Sequence, residues 1–255
     1  MNPKSGIHII QAEKQVRKDS KNKIKKFNTN PKNLELIVSI LFPEQKFSKK
    51  DSIKQIQHLV EHINSFYIKL ENKKFPSREK PYPLDYSLPI DSGLFLYLLC
   101  KSIKPQKVFE TGVAYGQSSC FILQALSENN YGKLFSIDAV FRPWETKEKI
   151  GSMIPENIKN RWKINFGNSK STLKKILSDE KEIDIFFHDS LHTYDNMMFE
   201  FETAWQYIKN GGFLLSDDVF SNNALLDFCQ KHNLEPLILK QDNSAQTEMG
   251  IIQKK

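Results

Sequence analysis

Five carboxylates and one histidine of this 255-residue chain stand at the ends of short apolar runs. Glu110 closes the run that starts at Val108, and Asp138 ends residues 134–138. Asp189 follows residues 183–188 with His192 three positions on, and Asp217 and Asp218 follow residues 213–216. Asp189, Asp217 and Asp218 present only oxygens, the ligand set of a hard cation such as Mg²⁺, Mn²⁺ or Ca²⁺ rather than zinc. A cation there would hold two neighbouring oxygens of a bound molecule and lower the pKa of a hydroxyl. His192 brings an imidazole that can take a proton near pH 7, a contribution typically of roughly 10²–10⁴-fold. Each has a plainer role open to it: Asp189 shaping a loop, one of the paired aspartates capping a helix, His192 bonding a loop carbonyl.

Residues 108–118, VFETGVAYGQS, turn from an apolar strand through glycines into the apolar run 120–126. Such a turn leaves backbone N–H groups free at one edge of a sheet, where open α/β folds bind ligands. Glu110 precedes the first glycine, and the spacing is E-x-G-x-x-x-G, not G-x-G-x-x-G. That order argues against a pyrophosphate and for a ligand that is cationic nearby or rich in hydroxyls. Glycine turns also serve structure alone. Gly167, Asn168 and Ser169 follow the run 162–166, and there Asn168 and Ser169 either touch a ligand or cap the next helix.

Regular alternation of strand and helix positions these residues. Runs at 134–138, 162–166, 183–188 and 213–216 read as strands two to five, with helices at 118–126, 170–177, 194–209 and 222–232. Residues 237–240 and 250–252 supply two last strands. The order predicts an α/β fold with a doubly wound, mostly parallel seven-stranded sheet and an N-terminal helical extension. Polar groups converging on the carboxyl ends of its strands define a crevice. Loop polarity explains some of them, but acidic groups on consecutive strand ends repel one another unless they bind something. His188 points to the opposite face of its strand from Asp189, so core packing is its expected role.

Upstream, residues 1–32 are polar, basic and poorly periodic, the pattern of a mobile arm. Residues 33–90 form a helical lid or extension, and residues 91–255 the main domain. Asn33 is expected to cap a short helix through Leu41, and Asp51 a longer one carrying Ile53, Ile56, Leu59, Ile63 and Leu70. The connector 75–89 holds Tyr82 and Tyr86, each a contact or a packing residue. Trp144, after strand two, would stack on a ligand, line a pocket or simply pack.

With 39% hydrophobic and 26% charged residues the composition is that of a soluble globular protein. No apolar run nears the roughly 20 residues of a membrane span, and residues 6–10 are too short for a secretory core. A cytoplasmic protein without a membrane partner is expected. Cys100, Cys120 and Cys229 lie far apart and read as buried thiols in a reducing compartment. Residues 1–80 hold 18 Lys/Arg against 8 Asp/Glu, so the basic charge is concentrated there. Aromatics are not interleaved with the lysines of residues 14–26, which argues against nucleic acid and for a solubilising surface. A homodimer is compatible with the sequence.

Two segments carry a resemblance. DSGLFLYLLCKSIKPQKVFETGVAYGQSS and IFFHDSLHTYDNMMFEFETAWQYIKNGGFLLSDDV resemble class I S-adenosylmethionine-dependent methyltransferases, with their Rossmann-like fold. More narrowly, residues 92–252 are similar to the metal-dependent O-methyltransferases of the catechol, caffeoyl-CoA and macrocin types. The 28-residue separation of Asp189 from Asp217 looks like that family's metal-ligand spacing. The resemblance implies that Glu110, Gly112 and Ser118 hold the methionine part of S-adenosylmethionine, the acid orienting its surroundings through hydrogen bonds, with Asp189 near by. Asp138 would accept from the ribose hydroxyls, and Asn168 and Ser169 would edge the adenine. Asp189, Asp217 and Asp218 would bind a divalent cation, with Mg²⁺ the first choice, and His192 and Asp189 would be catalytic. The acceptor would be a hydroxyl of a small molecule, a sugar or other polyhydroxylated compound first and a catechol-like phenol second. An RNA methyltransferase docking through the basic region and a non-catalytic cofactor-binding protein are the alternatives. Two departures stand out. His192 occupies the place of the catechol-type enzymes' lysine base, and Leu191 replaces the second aspartate of the D-G-D-H-S-Y segment.

Overall fold

The computed structural model describes residues 3–25, 27, 29–84, 88–240 and 248–255. Tyr86 lies outside them. A seven-stranded sheet runs in the order β3-β2-β1-β4-β5-β7-β6. β1 (Lys107–Thr111), β2 (Lys133–Asp138), β3 (Trp162–Phe166), β4 (Ile183–His188) and β5 (Ile208–Ser216) pair in parallel. β7 (Met249–Gln253) lies antiparallel between β5 and β6 (Leu237–Leu239). The chain walks outward from β1 to β3, then returns to β4 on the other side of β1. That reversal makes the carboxyl ends of β1 and β4 the topological switch point.

Alternation along the strands sorts two cores. Val108, Ile185, Phe187, Phe213 and Leu215 face α5 (Ile90–Ile103) and α6 (Gln117–Glu128). Phe109, Phe186 and Leu214 face α7 (Ser169–Glu180), α8 (Tyr194–Trp205) and α9 (Ala224–His232). The same parity sends Glu110 beneath α6, and Thr111 and His188 toward α8. Strands buried on both faces read as continuous apolar runs, which is why β1, β2 and β4 were legible.

The N-terminal region adds α1 (Pro3–Asp19), α2 (Leu34–Leu41), α3 (Lys49–Gln55) and α4 (Gln57–Glu71). Asn33 caps α2, its side chain accepting from the Leu36 N–H. The next helix starts earlier than its sequence suggested. Ser48, not Asp51, is the cap, its hydroxyl accepting from the Asp51 N–H. Asp51 then sits in the first turn, where a carboxylate suits the helix dipole. Leu34, Ile37, Ile56, Leu59 and Ile63 are buried in the same core as α5 and α6.

Residues 3–32, read from sequence as a mobile arm, contain α1 and then run across the domain. The Tyr194 N–H donates to Asp19, Lys25 pairs with Asp227 at 2.9 Å, and Phe27 meets Phe220 edge-on. Lys32 bridges β6, its N–H donating to Ile238 O and its carbonyl accepting from the Lys240 N–H. The expected helix to residue 209 ends at Trp205 instead, and β5 begins at Ile208. Ile208 pairs with Ile183, and the register slips before Phe213, at the Gly211-Gly212 pair that the slip requires. All three cysteines are free and buried. No helix among the described residues is long and apolar enough to cross a membrane.

Candidate functional site

Backbone hydrogen bonds that continue past the strand ends knit the site together. The Gly112 N–H donates to Ile137 O, the Asp189 N–H to Thr111 O and the Asp217 N–H to His188 O, each at 2.9 Å. The loops after β1, β4 and β5 thus leave the sheet side by side. Gly112 has φ +82°, and a Cβ there would stand 1.9 Å from the carbonyl oxygen of Asp189. Its glycine is required by the close approach of the neighbouring loop.

Asp138 locks the glycine loop. One carboxylate oxygen accepts from the N–H groups of Val113 and Ala114, both at 2.9 Å, and the other accepts from Ala139 at 2.6 Å. Burial raises its pKa to about 6 against the pull of those amides. Glu110 is fully buried and encircled by hydroxyls. Ser118, Ser119 and Ser136 donate to it at 2.5, 2.6 and 2.8 Å. Burial again lifts the carboxyl to about 6. Glu110 and Ser118 therefore engage each other and orient the first turn of α6. Asn168 caps α7, accepting from the Ser171 N–H at 2.9 Å, and Ser169 donates to Asn196 at 3.3 Å. For Asn168 the plainer of its two readings is the one built.

Ligand atoms of Asp189, His192 and Asp217 lie within 4.8 Å of one another. The expected third oxygen donor is displaced. Asp218 has φ +51°, a left-handed turn that aspartate tolerates, and its Oδ2 lies 3.2 Å from His192 Nδ1. His192 Nε2 is buried without a hydrogen-bond partner, 3.8 Å from Asp189 Oδ1. Burial, and then His188, pulls His192 down to about 3, so its imidazole is neutral at physiological pH. Burial and the neighbouring charges of Asp217, Glu110 and Asp218 push Asp189 well above the ordinary carboxylate range. That is the electrostatic mark of acidic groups held together in a place suited to a counter-charge.

Sequence reasoning missed Glu200, the polar hub beneath this cluster. Fully buried on α8, it accepts from Thr111, from Ser190 at 2.8 Å and from Asn196 at 3.1 Å, and meets His188 Nδ1 at 2.6 Å. Burial favours its neutral form, but His188 and these donors prevail and hold it at about 2. His188 is thus a bonded polar group whose ring stands edge-on to His192, with 5.2 Å between centroids. The available signal was Asn196 and Glu200 sharing the helical face of Met197, Phe201 and Ala204.

The extension closes the other side. Tyr67 donates to Gln117, which donates to Leu88 O, both at 2.7 Å. Tyr115, in the glycine loop, donates to Tyr82 O at 3.1 Å and meets Phe66, Tyr67 and Tyr82 edge-on. The Tyr82 hydroxyl and Trp144 Nε1 are buried without hydrogen-bond partners. Burial, then the charges of Asp138 and Glu145, raises Tyr82.

Residues 109–219 match a family profile described as a methyltransferase domain. Tapetum-specific methyltransferase 1 of Arabidopsis thaliana is 29% identical over 155 residues, 60% of this chain and 62% of that protein. The chain therefore matches somewhat less than two thirds of that relative's length. Among solved structures, the methyltransferase PaMTH1 of Podospora anserina, bound to SAH, aligns with a TM-score of 0.55 and 17% identity, covering 92% of this chain and 99% of its own. An O-methyltransferase of Bacillus cereus in complex with SAH aligns at 0.53 and 15%, covering 87% and 97%. TomG of Streptomyces achromogenes, an O-methyltransferase with bound SAM, aligns at 0.54 and 14%, covering 87% and 96%. At these identities the structures establish the fold, a seven-stranded Rossmann-like sheet.

Proposed function

We propose that the methyltransferase domain at residues 109–219 transfers a methyl group from S-adenosylmethionine to a hydroxyl oxygen of a small molecule, with a divalent cation at the acceptor. The observation that carries the reading is the convergence of Asp189, His192 and Asp217 beside the glycine loop of β1. The cofactor fits the other half of the crevice. Tyr82 and Trp144 offer buried donors that lack partners among the described residues, and leaving such groups unpaired costs roughly 1–3 kcal/mol each. Asp138 still has lone pairs beyond those its three amides use, so it suits ribose hydroxyls. The amides at the start of α6 have no side-chain cap and suit a carboxylate.

The protein's main task is alignment, since the donor sulfonium is reactive by itself. Glu110 sets the first turn of α6 through Ser118 and Ser119, and Asp138 sets the loop at Val113 and Ala114. Tyr67, donating to Gln117, closes the crevice over the start of α6. Two carboxylates with an imidazole fit a divalent ion, which when bound would supply charge that favours ionisation of the acceptor hydroxyl. His192 is neutral and so able to serve as a base or as a ligand. Leu191, 43% exposed between Asp189 and His192, presents an apolar side chain and removes any mechanism that needs an acid there. A sugar or other polyhydroxylated acceptor is the first class, a catechol-like phenol the second.

Calorimetric titration with S-adenosylmethionine and S-adenosylhomocysteine, followed by methyl transfer to panels of polyols and catechols with and without chelator, tests the reading. Binding of both ligands and transfer that chelation abolishes are expected. Transfer that survives exhaustive chelation removes the cation and leaves the cofactor in place. Absence of cofactor binding removes the whole proposal.

A further inference from the structure

We propose that His192 is itself a ligand of the divalent cation, through Nε2 beside Asp189 and Asp217, and that Asp218 orients its ring from outside the coordination shell. The inference rests on the cation reading above and assigns its donors. It departs from the oxygen-only set of Asp189, Asp217 and Asp218 that the sequence suggested.

The two ring nitrogens have different surroundings. Nδ1 lies 3.2 Å from Asp218 Oδ2, a carboxylate suited to hold the ring proton on that side, which leaves Nε2 as the nitrogen free to ligate. Nε2 is buried and makes no hydrogen bond, and Asp189 Oδ1 lies 3.8 Å away. That separation is too long for a hydrogen bond. It falls within the roughly 3–4.2 Å that separates two donors of one ion when each is about 2.1 Å from it. A lone pair and two carboxylates within 4.8 Å repel one another, and a shared cation removes the repulsion.

The outer arrangement agrees. A ligating histidine ordinarily gives its second N–H to a carboxylate, which fixes both tautomer and orientation. Asp218 occupies that place. A nitrogen donor also changes which ion is preferred. Imidazole suits first-row transition ions better than Mg²⁺, so Mn²⁺ is expected to bind at least about tenfold more tightly than Mg²⁺.

Mn²⁺ alone is the probe. Its binding to the full-length protein is titrated by electron paramagnetic resonance, and the bound ion is then read by spin-echo modulation for directly coordinated nitrogen. The expected result is stoichiometric binding with a ¹⁴N coupling that becomes a ¹⁵N coupling when the protein is grown on ¹⁵N-histidine. That measurement needs no substitution and so does not depend on a variant folding. His192→Ala is expected to lose the coupling, and Asp218→Asn to keep it while weakening Mn²⁺ roughly 10–100-fold. Bound Mn²⁺ without nitrogen coupling overturns the inference and leaves the cation reading standing. Coupling that persists in folded His192→Ala also overturns it. If Mn²⁺ does not bind at all, the cation reading fails and the inference with it.

Discussion

Glu110 serves the site from below, holding the first turn of α6 through Ser118 and Ser119. Its oxygens are taken by three serine hydroxyls, and its burial is complete. Burial raises its folded pKa to about 6, from 4.5 when unperturbed. The folded state therefore holds this proton more tightly than the unfolded chain does. The stability Glu110 contributes is fully present below pH 4.5 and is lost as pH rises through about 6. Glu110→Gln keeps the shape and removes the titration. Between pH 4 and 7 the stability of the variant relative to wild type is expected to shift by roughly 2 kcal/mol in the variant's favour. Urea midpoints across that range check it, and parallel curves would show that Glu110 titrates as it does in water.

At the scale of elements, legibility followed the strength of the local signal. β1, β2 and β4 were readable because strands buried on both faces leave unbroken apolar runs between loops. The strand-end acids were readable because a parallel sheet gathers the carboxyl ends of its strands at one edge. Which donor of the Asp217-Asp218 pair faces the cluster was not, since the left-handed turn at Asp218 has no sequence mark. The Glu200 hub was hidden because its partners on β1 and β4 are distant in sequence. Helix starts were harder, as Ser48 and Asp51 show. Both are capping types, and only the backbone decides which accepts from the other. Ser48→Ala removes the built cap and is expected to cost about 1 kcal/mol. Asp51→Ala removes only a first-turn charge, an effect of about 0.3–1 kcal/mol that salt screens. Denaturant titration of both variants at low and high salt separates them. A larger loss for Asp51→Ala at high salt would return the cap to Asp51.

At the scale of the whole molecule, the extension before residue 91 and the sheet share one core. Leu34, Ile37, Ile56, Leu59 and Ile63 are each at most 3% exposed and pack in the cluster that holds α5, α6 and one face of the sheet. Burying a large aliphatic side chain is worth roughly 1.5–3 kcal/mol, so these five contribute on the order of 10 kcal/mol. That is comparable with the whole stability of a typical domain, about 5–15 kcal/mol. Further ties follow the same course: Tyr67 to Gln117, His62 to Met153 O and Lys32 to the backbone of β6. Removing the first 90 residues would expose the outer face of α5 and α6 along with the glycine loop that α6 begins. The fragment 91–255 is therefore expected to lack fixed tertiary packing although it keeps every strand and every acid of the site. Near-ultraviolet circular dichroism and dispersion of amide resonances would register that loss. A fragment with native dispersion and undiminished affinity for S-adenosylhomocysteine would show the extension to be a separable lid. Loss of packing in the fragment would make residues 33–90 part of one folded body with the sheet, so that substitutions at Leu59 or Ile63 act on the proposed cofactor site through the core they share.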